Sequence, residues 1–221
     1  MNELLFFIHV FLVVSFVMGA LRLGKAALIA LSAVQAVLAN LFVVKQIDLF
    51  GFSITCSDVF AVGGILSINL IQEFFGKEAA KLGMQISLLS LFFFAVMSQI
   101  HLVYTPSLAD GTQSSFFTIF SSTPRIVFAS VFVFYVVQKL DIQLFGWMKK
   151  VFEGRNLPFR IGASLVVSQF LDTILFSFLG LYGIVDSISD VVFVSFFVKC
   201  LIIAFSSSLA AFSKRFVKEI A

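Results

Sequence analysis

Seven apolar runs fill most of this sequence, at 4–21, 26–47, 53–75, 82–104, 124–147, 162–182 and 190–212. A helix needs about 20 such residues to cross a bilayer, so each run has the length of one crossing. No soluble core of this size requires a mean hydropathy of +1.09, and only 12% of the 221 residues are charged while 31 are Phe. The expected fold is an all-α integral membrane protein, a single domain over residues 1–221 with about seven transmembrane helices. Little chain remains for an ATP-binding or soluble catalytic domain. Any energy source must then be an ion gradient, the substrate's own gradient or a separate subunit.

The first run could pass for a secretory signal, but Asn2 and Glu3 replace a basic n-region and no small-x-small cleavage site follows, which favours a retained span. The fifth helix is expected to start at Pro124, which suits the first helical position behind Thr123 as N-cap. That leaves 105–122 as an outside loop with an interfacial Phe-rich turn. Cytoplasmic segments of membrane proteins carry an excess of Lys and Arg. With the N-terminus outside, the inner segments hold Arg22, Lys25, Lys77, Lys81, Lys139, Lys149, Lys150, Arg155, Arg160, Lys214, Arg215 and Lys218, and the outer ones Lys45 alone. An N-outside, C-inside chain is therefore predicted. The net charge of +3 follows this distribution and gives no reason to expect a nucleic-acid partner. Cys56 and Cys200 sit in apolar runs without C-x-x-C spacing or a neighbouring His, and read as buried thiols.

A charge at mid-bilayer costs about 2.5–3.5 kcal/mol even on insertion scales, so polar residues inside the runs need partners, water or a ligand. The third run carries Asp58, Asn69, Gln72 and Glu73; the fourth Gln85, Gln99 and His101; the fifth Arg125, Gln138 and Asp141; the sixth Gln169, Asp172 and Thr173; the seventh Lys199. Asn69 and Glu73 share a helical face near the inner end of their helix, where they either meet headgroups or line a site. Asp141, in the last two turns of its helix, has the same two readings. Asp172 lies about 18 Å along the helix from Arg160 at the inner start, near the membrane centre, and shares a face with Gln169 and Thr173. Lys199, at comparable depth, is its expected ion-pair partner, whether the pair only fixes packing or also admits a ligand. Arg125 opposes the dipole of its own first turn; it either finds an anionic partner or snorkels to the outer headgroups.

The stretches Q-K-L-D-I-Q-L-F at 138–145 and Q-F-L-D-T-I-L-F at 169–176 share the pattern Gln-x-Leu-Asp-x-x-Leu-Phe at an offset of 31. Their helices begin with Arg125 and Arg160, each followed by Ala-Ser, which suggests an inverted internal repeat. His9 and His101 are isolated and read as packing or interfacial side chains. Gly63-Gly64 permits close helix approach. No H-E-x-x-H, G-x-S-x-G or acidic metal-ligand spacing occurs, so neither an enzyme nor a metal or other cofactor is expected.

Three segments carry a resemblance: N-L-I-Q-E-F-F-G-K-E-A-A-K at 69–81, R-I-V-F-A-S-V-F-V-F-Y-V-V-Q-K-L-D-I-Q-L-F at 125–145, and A-S-L-V-V-S-Q-F-L-D-T-I-L-F at 163–176. Together they resemble the queuosine precursor transporter family, also called the vitamin uptake transporter family, which is related to the substrate-binding subunits of energy-coupling factor transporters. Its first signature, D-x-x-x-E-x-x-G, is matched by Asn69, Glu73 and Gly76, with Asn69 in place of the acid. The second is matched by Arg125, Ala129, Ser130, Gln138 and Asp141, and the third by Ala163, Ser164, Ser168, Gln169, Asp172, Thr173 and Phe176. Lys199 matches a lysine in the last span. The likeness covers about residues 27–210, and family members typically have six spans. It implies a family-like core at 26–212, an N-terminal addition at 1–25 and a cytoplasmic tail at 213–221.

The resemblance implies a multi-pass transporter of a bacterial cytoplasmic (inner) membrane that imports 7-deazaguanines for tRNA modification. Candidate substrates are the 7-cyano and 7-aminomethyl precursor bases, or queuine. It implies substrate-binding roles for Asn69, Glu73, Arg125, Ser130, Gln138, Asp141, Ser164, Gln169, Asp172, Thr173 and Lys199, with 169–173 foremost. Carboxylates can accept from the ring's amino and imino groups, the amides can donate and accept, and Phe rings can stack. A substrate-binding subunit that works with an ATPase module of the energy-coupling-factor type is the alternative, and a homo-oligomer is a further possibility. A non-transporting membrane enzyme or structural subunit is the remote reading.

Overall fold

The computed structural model describes residues 1–55, 57–121, 124–182, 188–210 and 213, with backbone alone at 52–55, 124–127, 181, 190–191 and 208–210. Its helices are α1 (Asn2–Leu23), α2 (Lys25–Phe42), α3 (Asp58–Phe75), α4 (Lys77–Val103), α5 (Gln113–Phe120), α6 (Pro124–Val151), α7 (Leu157–Phe176) and α8 (Ile188–Ala210). A short hairpin of β1 (Gln46–Leu49) and β2 (Phe52–Thr55) lies between α2 and α3. Among the described residues, six helices are long and apolar enough to cross a membrane, and the apolar part of α8, Val192–Ser207, is shorter. The fold is thus helical as expected.

Where the chain turns, local chemistry explains it. Single glycines join α1 to α2 and α3 to α4: Gly24 has φ 103° and Gly76 φ 90°, values that a Cβ disfavours. One residue therefore reverses each helix pair, and Gly76 of the first family signature is a backbone device. In the hairpin, Leu49 pairs with Phe52, leaving the two-residue loop Phe50-Gly51 with φ 53° and 82°. Positive φ at both positions matches the turn whose twist suits two short strands. The runs 26–47 and 53–75 were expected to be helical throughout. Residues 46–47 and 53–55 are instead extended, because Ile47, Leu49, Phe52 and Ile54 alternate with polar residues on either side of that Gly turn.

α6 starts at Pro124, as the sequence predicted, and continues to Val151 rather than ending at 147. Thr123, its expected N-cap, lies outside the described residues. The loop before it contains α5, whose Phe116 and Phe120 rings stack at 5.7 Å while Gln99 Nε2 donates to the Phe120 carbonyl at 2.8 Å. Thr112, at the start of α5, donates its hydroxyl and amide hydrogens to Asp110. Those bonds hold the Asp110 carboxyl below its usual range. α7 passes without interruption into a π-helical turn at Ser177–Leu181.

α3 is the hub. Of its residues 72% are buried, and α1, α2, α4, α6, α7 and α8 all pack against it. Close approach is possible because Gly63 and Gly83 stand where a Cβ would meet Val13 at 2.7 Å and Ile68 at 3.0 Å. The apolar core runs through these helices, with Leu21, Leu28, Leu66, Ile71, Phe145 and Leu165 fully enclosed. The outer faces expose Phe11, Phe16, Phe93, Phe128, Phe132 and Phe193, as helices facing hydrocarbon should. His9 packs edge-on against Phe60, and His101 edge-on against Tyr104. Cys200 is a free thiol but half-buried, not buried; its neighbour Lys199 takes the inward position, and one residue turns a helix by about 100°. Cys56 lies outside the described residues.

Candidate functional site

Three polar layers cross the interior along α3 and α7, which supply groups to each. At the start of α7, Arg160 has no exposed surface. Its Nη1 and Nη2 donate to the two oxygens of Glu73, at 3.0 and 2.9 Å. Nε donates to the Arg155 carbonyl at 2.9 Å, and the guanidinium stands 5.2 Å from the centre of the Phe145 ring. Lys149 completes the layer, 3.2 Å from Glu73 Oε2 and donating to its backbone carbonyl at 2.8 Å.

At the other end of α7, Lys199 Nζ donates to Asp172 Oδ2 at 2.8 Å and to Thr173 Oγ1 at 3.1 Å. It also lies 3.7 Å from Asp58 Oδ1, so one ammonium serves two carboxylates. Ser195 donates weakly to Asp58, at 3.4 Å. Thr173 returns its proton to the Gln169 carbonyl at 2.8 Å. The expected Asp172–Lys199 pair is present, with α3 contributing a second acid.

Between these layers lies Asp141, with no exposed surface. Ser164 and Ser168 of α7 both donate to its Oδ1, at 2.5 and 2.7 Å, while Oδ2 has no partner. Asn69 stands beside the carboxyl within reach to donate to it, although neither its Nδ2 nor its Oδ1 makes a hydrogen bond of good geometry. The Oε1 atoms of Gln138, one turn before Asp141, and of Gln169, next to Ser168, are buried and unpaired as well. Nearby, Gln72 donates to the Ile142 carbonyl at 2.9 Å and leaves its own Oε1 free. Buried polar atoms are nearly always hydrogen-bonded. Orphaned groups on three facing helices make this layer the candidate site.

Asp141 was expected near the inner mouth, because its helix was expected to end at 147. α6 continues one turn further, and Ser164 and Ser168 place Asp141 about midway between Arg160 and Asp172 along α7 at 1.5 Å per residue. Of the other candidates, Asn69 and Glu73 fall in different layers, and Ser130 is half-buried. The Arg125 side chain lies outside the described residues. The two Gln-x-Leu-Asp stretches differ in environment: Asp141 is held by hydroxyls, Asp172 by an ammonium.

Sequence reasoning left several participants out. Arg160 passed for an interfacial residue, although a basic residue facing an acid at the same predicted depth was a usable signal. Asp58 and Gln72 stood among the polar residues without a role, and Ser168 was matched to a motif without one. Gln35 of α2, buried with Oε1 unpaired, had gone unremarked. A separate cavity of about 970 Å³ opens between α4 and α5. Its lining, with Phe93, Phe94, Met97, Phe116 and Phe120, is mostly apolar and includes none of the three layers.

Comparison with known proteins agrees with this picture. Residues 57–212 match the family described as "Putative vitamin uptake transporter", a match that begins just before α3. The chain is 31% identical over 179 residues to a Bacillus subtilis (strain 168) protein named "Probable queuosine precursor transporter", covering 79% of this chain and 77% of that one. No solved structure matches it.

Proposed function

The chain belongs to the vitamin uptake transporter family, a family of membrane transporters rather than enzymes, and from that membership we propose that it imports 7-deazaguanine precursors of queuosine. The single observation that carries the reading is the middle layer: Asn69, Gln138, Asp141 and Gln169 hold buried, unpaired polar atoms inside a bundle of membrane-spanning helices. A 7-deazaguanine has ring N–H, amino and carbonyl groups along its edges, and so offers partners to carboxylate and amide alike. Polar groups enclosed at such depth are characteristic of secondary transporters. The name of the Bacillus subtilis relative supports this substrate class.

In this reading the middle layer binds, and the flanking layers hold the helices in register. Gln169, Asp172 and Thr173 contribute through Gln169, while Asp172 and Thr173 anchor Lys199. The protein works in a bacterial cytoplasmic membrane with its N-terminus outside.

The test uses cells that cannot make queuosine. Each of 7-cyano-7-deazaguanine, 7-aminomethyl-7-deazaguanine and queuine is supplied at low concentration, with and without this protein, and queuosine in tRNA is measured. Where the cells can use the supplied base, modification should depend on the protein for at least one. Equal modification without it, for every base that is used, would refute the proposal.

A further inference from the structure

We infer that Asp141 receives a cationic group of the transported molecule, so that the preferred substrate is a 7-deazaguanine whose 7-substituent carries a protonated amine and not a nitrile. This rests on the 7-deazaguanine reading above and narrows it.

The inference comes from a contrast among the acids of the helical core. Among the described side chains, Glu73 has Arg160 and Lys149 within 3.2 Å, and Asp58 and Asp172 share Lys199. Asp141 is as deeply enclosed as any of them and has no cation among the described side chains. The basic residues of the adjoining layers are already engaged with those other acids. Both hydroxyl donors reach the same oxygen, Oδ1, and Oδ2 has only the neutral Asn69 amide beside it, without a well-formed bond. Removing a carboxylate from water costs several kcal/mol unless a charge or sufficient donors replace the hydration. A ligand cation supplies that charge directly, and further ligand N–H donors supply less of it.

The surrounding free atoms favour the same kind of ligand. Asn69 Oδ1, Gln138 Oε1, Gln169 Oε1 and Asp141 Oδ2 are unpaired acceptors, against one unpaired donor, Asn69 Nδ2. The carboxylate's part does not depend on which way an amide is turned. An aminomethyl group, an aliphatic amine protonated at neutral pH like that of lysine, brings three N–H donors and a positive charge. A secondary amine at the same position brings two. A nitrile is an acceptor only, so a 7-cyano base can meet Oδ2 only through its ring N–H groups and brings no charge to it.

Equilibrium binding to purified protein tests this, with 7-aminomethyl- and 7-cyano-7-deazaguanine as ligands and with wild type and Asp141→Asn as proteins. A hydrogen bond to a charged group is worth about 1.5–3 kcal/mol, so wild type should bind the amine at least about tenfold more tightly. Asp141→Asn should bring the two ligands within about twofold by weakening the amine. Nitrile binding as tight as amine binding in wild type would overturn the inference while leaving the transporter reading intact. So would a variant that keeps the selectivity. Saturable binding of neither ligand to wild type would instead remove the substrate reading on which the inference rests. The wild-type comparison stands even if the variant fails to fold.

Discussion

Arg160 and Glu73, 87 positions apart, meet through two parallel hydrogen bonds that close one end of the polar column. The pair is unequal. Glu73 keeps Lys149 at 3.2 Å if Arg160 is lost, whereas Arg160, fully enclosed, has no other acid partner among the described residues. Breaking a buried pair costs about 3–5 kcal/mol, mostly from the charge left behind. Glu73→Gln should therefore lower the melting temperature in detergent more than Arg160→Met does, and the double variant should recover part of the loss. Arg160→Lys should fall short of wild type, because an ammonium cannot form the two-pronged contact.

Lys199 neutralises two acids of unequal burial. The Asp58 side chain is 7% exposed and that of Asp172 27%, so loss of the ammonium leaves Asp58 in the worse position. Lys199→Met should sharply reduce the yield of folded protein. Adding Asp58→Asn should restore more stability than adding Asp172→Asn, as measured by thermal unfolding of each double variant.

Two glycines should fail for different reasons. At Gly76, with φ 90°, no heavy atom lies within 4 Å of a built Cβ, so Gly76→Ala should cost only backbone strain, about 1–3 kcal/mol. At Gly146 the backbone is helical, but a Cβ would come 2.7 Å from Gln72 Nε2, the atom that bonds to the Ile142 carbonyl. Gly146→Ala should therefore disturb the middle layer, weakening substrate binding as well as stability. Gly76→Ala should leave affinity unchanged in the protein that folds.

The orientation argued from Lys and Arg is open to direct labelling. In a chain with Cys56→Ser and Cys200→Ser, single cysteines at Leu108 and Arg155 occupy exposed positions in the loops before α5 and before α7. An impermeant maleimide applied to intact cells should label Leu108→Cys at once and Arg155→Cys only after permeabilisation. The reverse pattern would invert the topology.

The lengths of the apolar runs made the helical bundle legible, and Asp172 with Lys199 was legible because opposite charges at similar depth have few alternatives to each other. The hairpin was not, since Ile47, Phe52 and Ile54 are as apolar as the helices they adjoin and only Phe50-Gly51 betrays the turn. Nor were the partners of Asp141, because distance along α6 does not say which residues of a facing helix stand opposite, and Ser164 and Ser168 belong to α7. The orphaned amides could be recognised as polar from sequence. That their bonds are unmade is a property of the packed interior alone.

Transport itself is the most direct test. Purified protein reconstituted into liposomes, given labelled 7-aminomethyl-7-deazaguanine outside, should accumulate or equilibrate it faster than protein-free liposomes, saturably and with suppression by unlabelled compound. Asp141→Ala should lose that uptake. Entry indistinguishable from that of empty liposomes, under imposed proton and sodium gradients alike, would contradict the claim that this chain alone carries the base across.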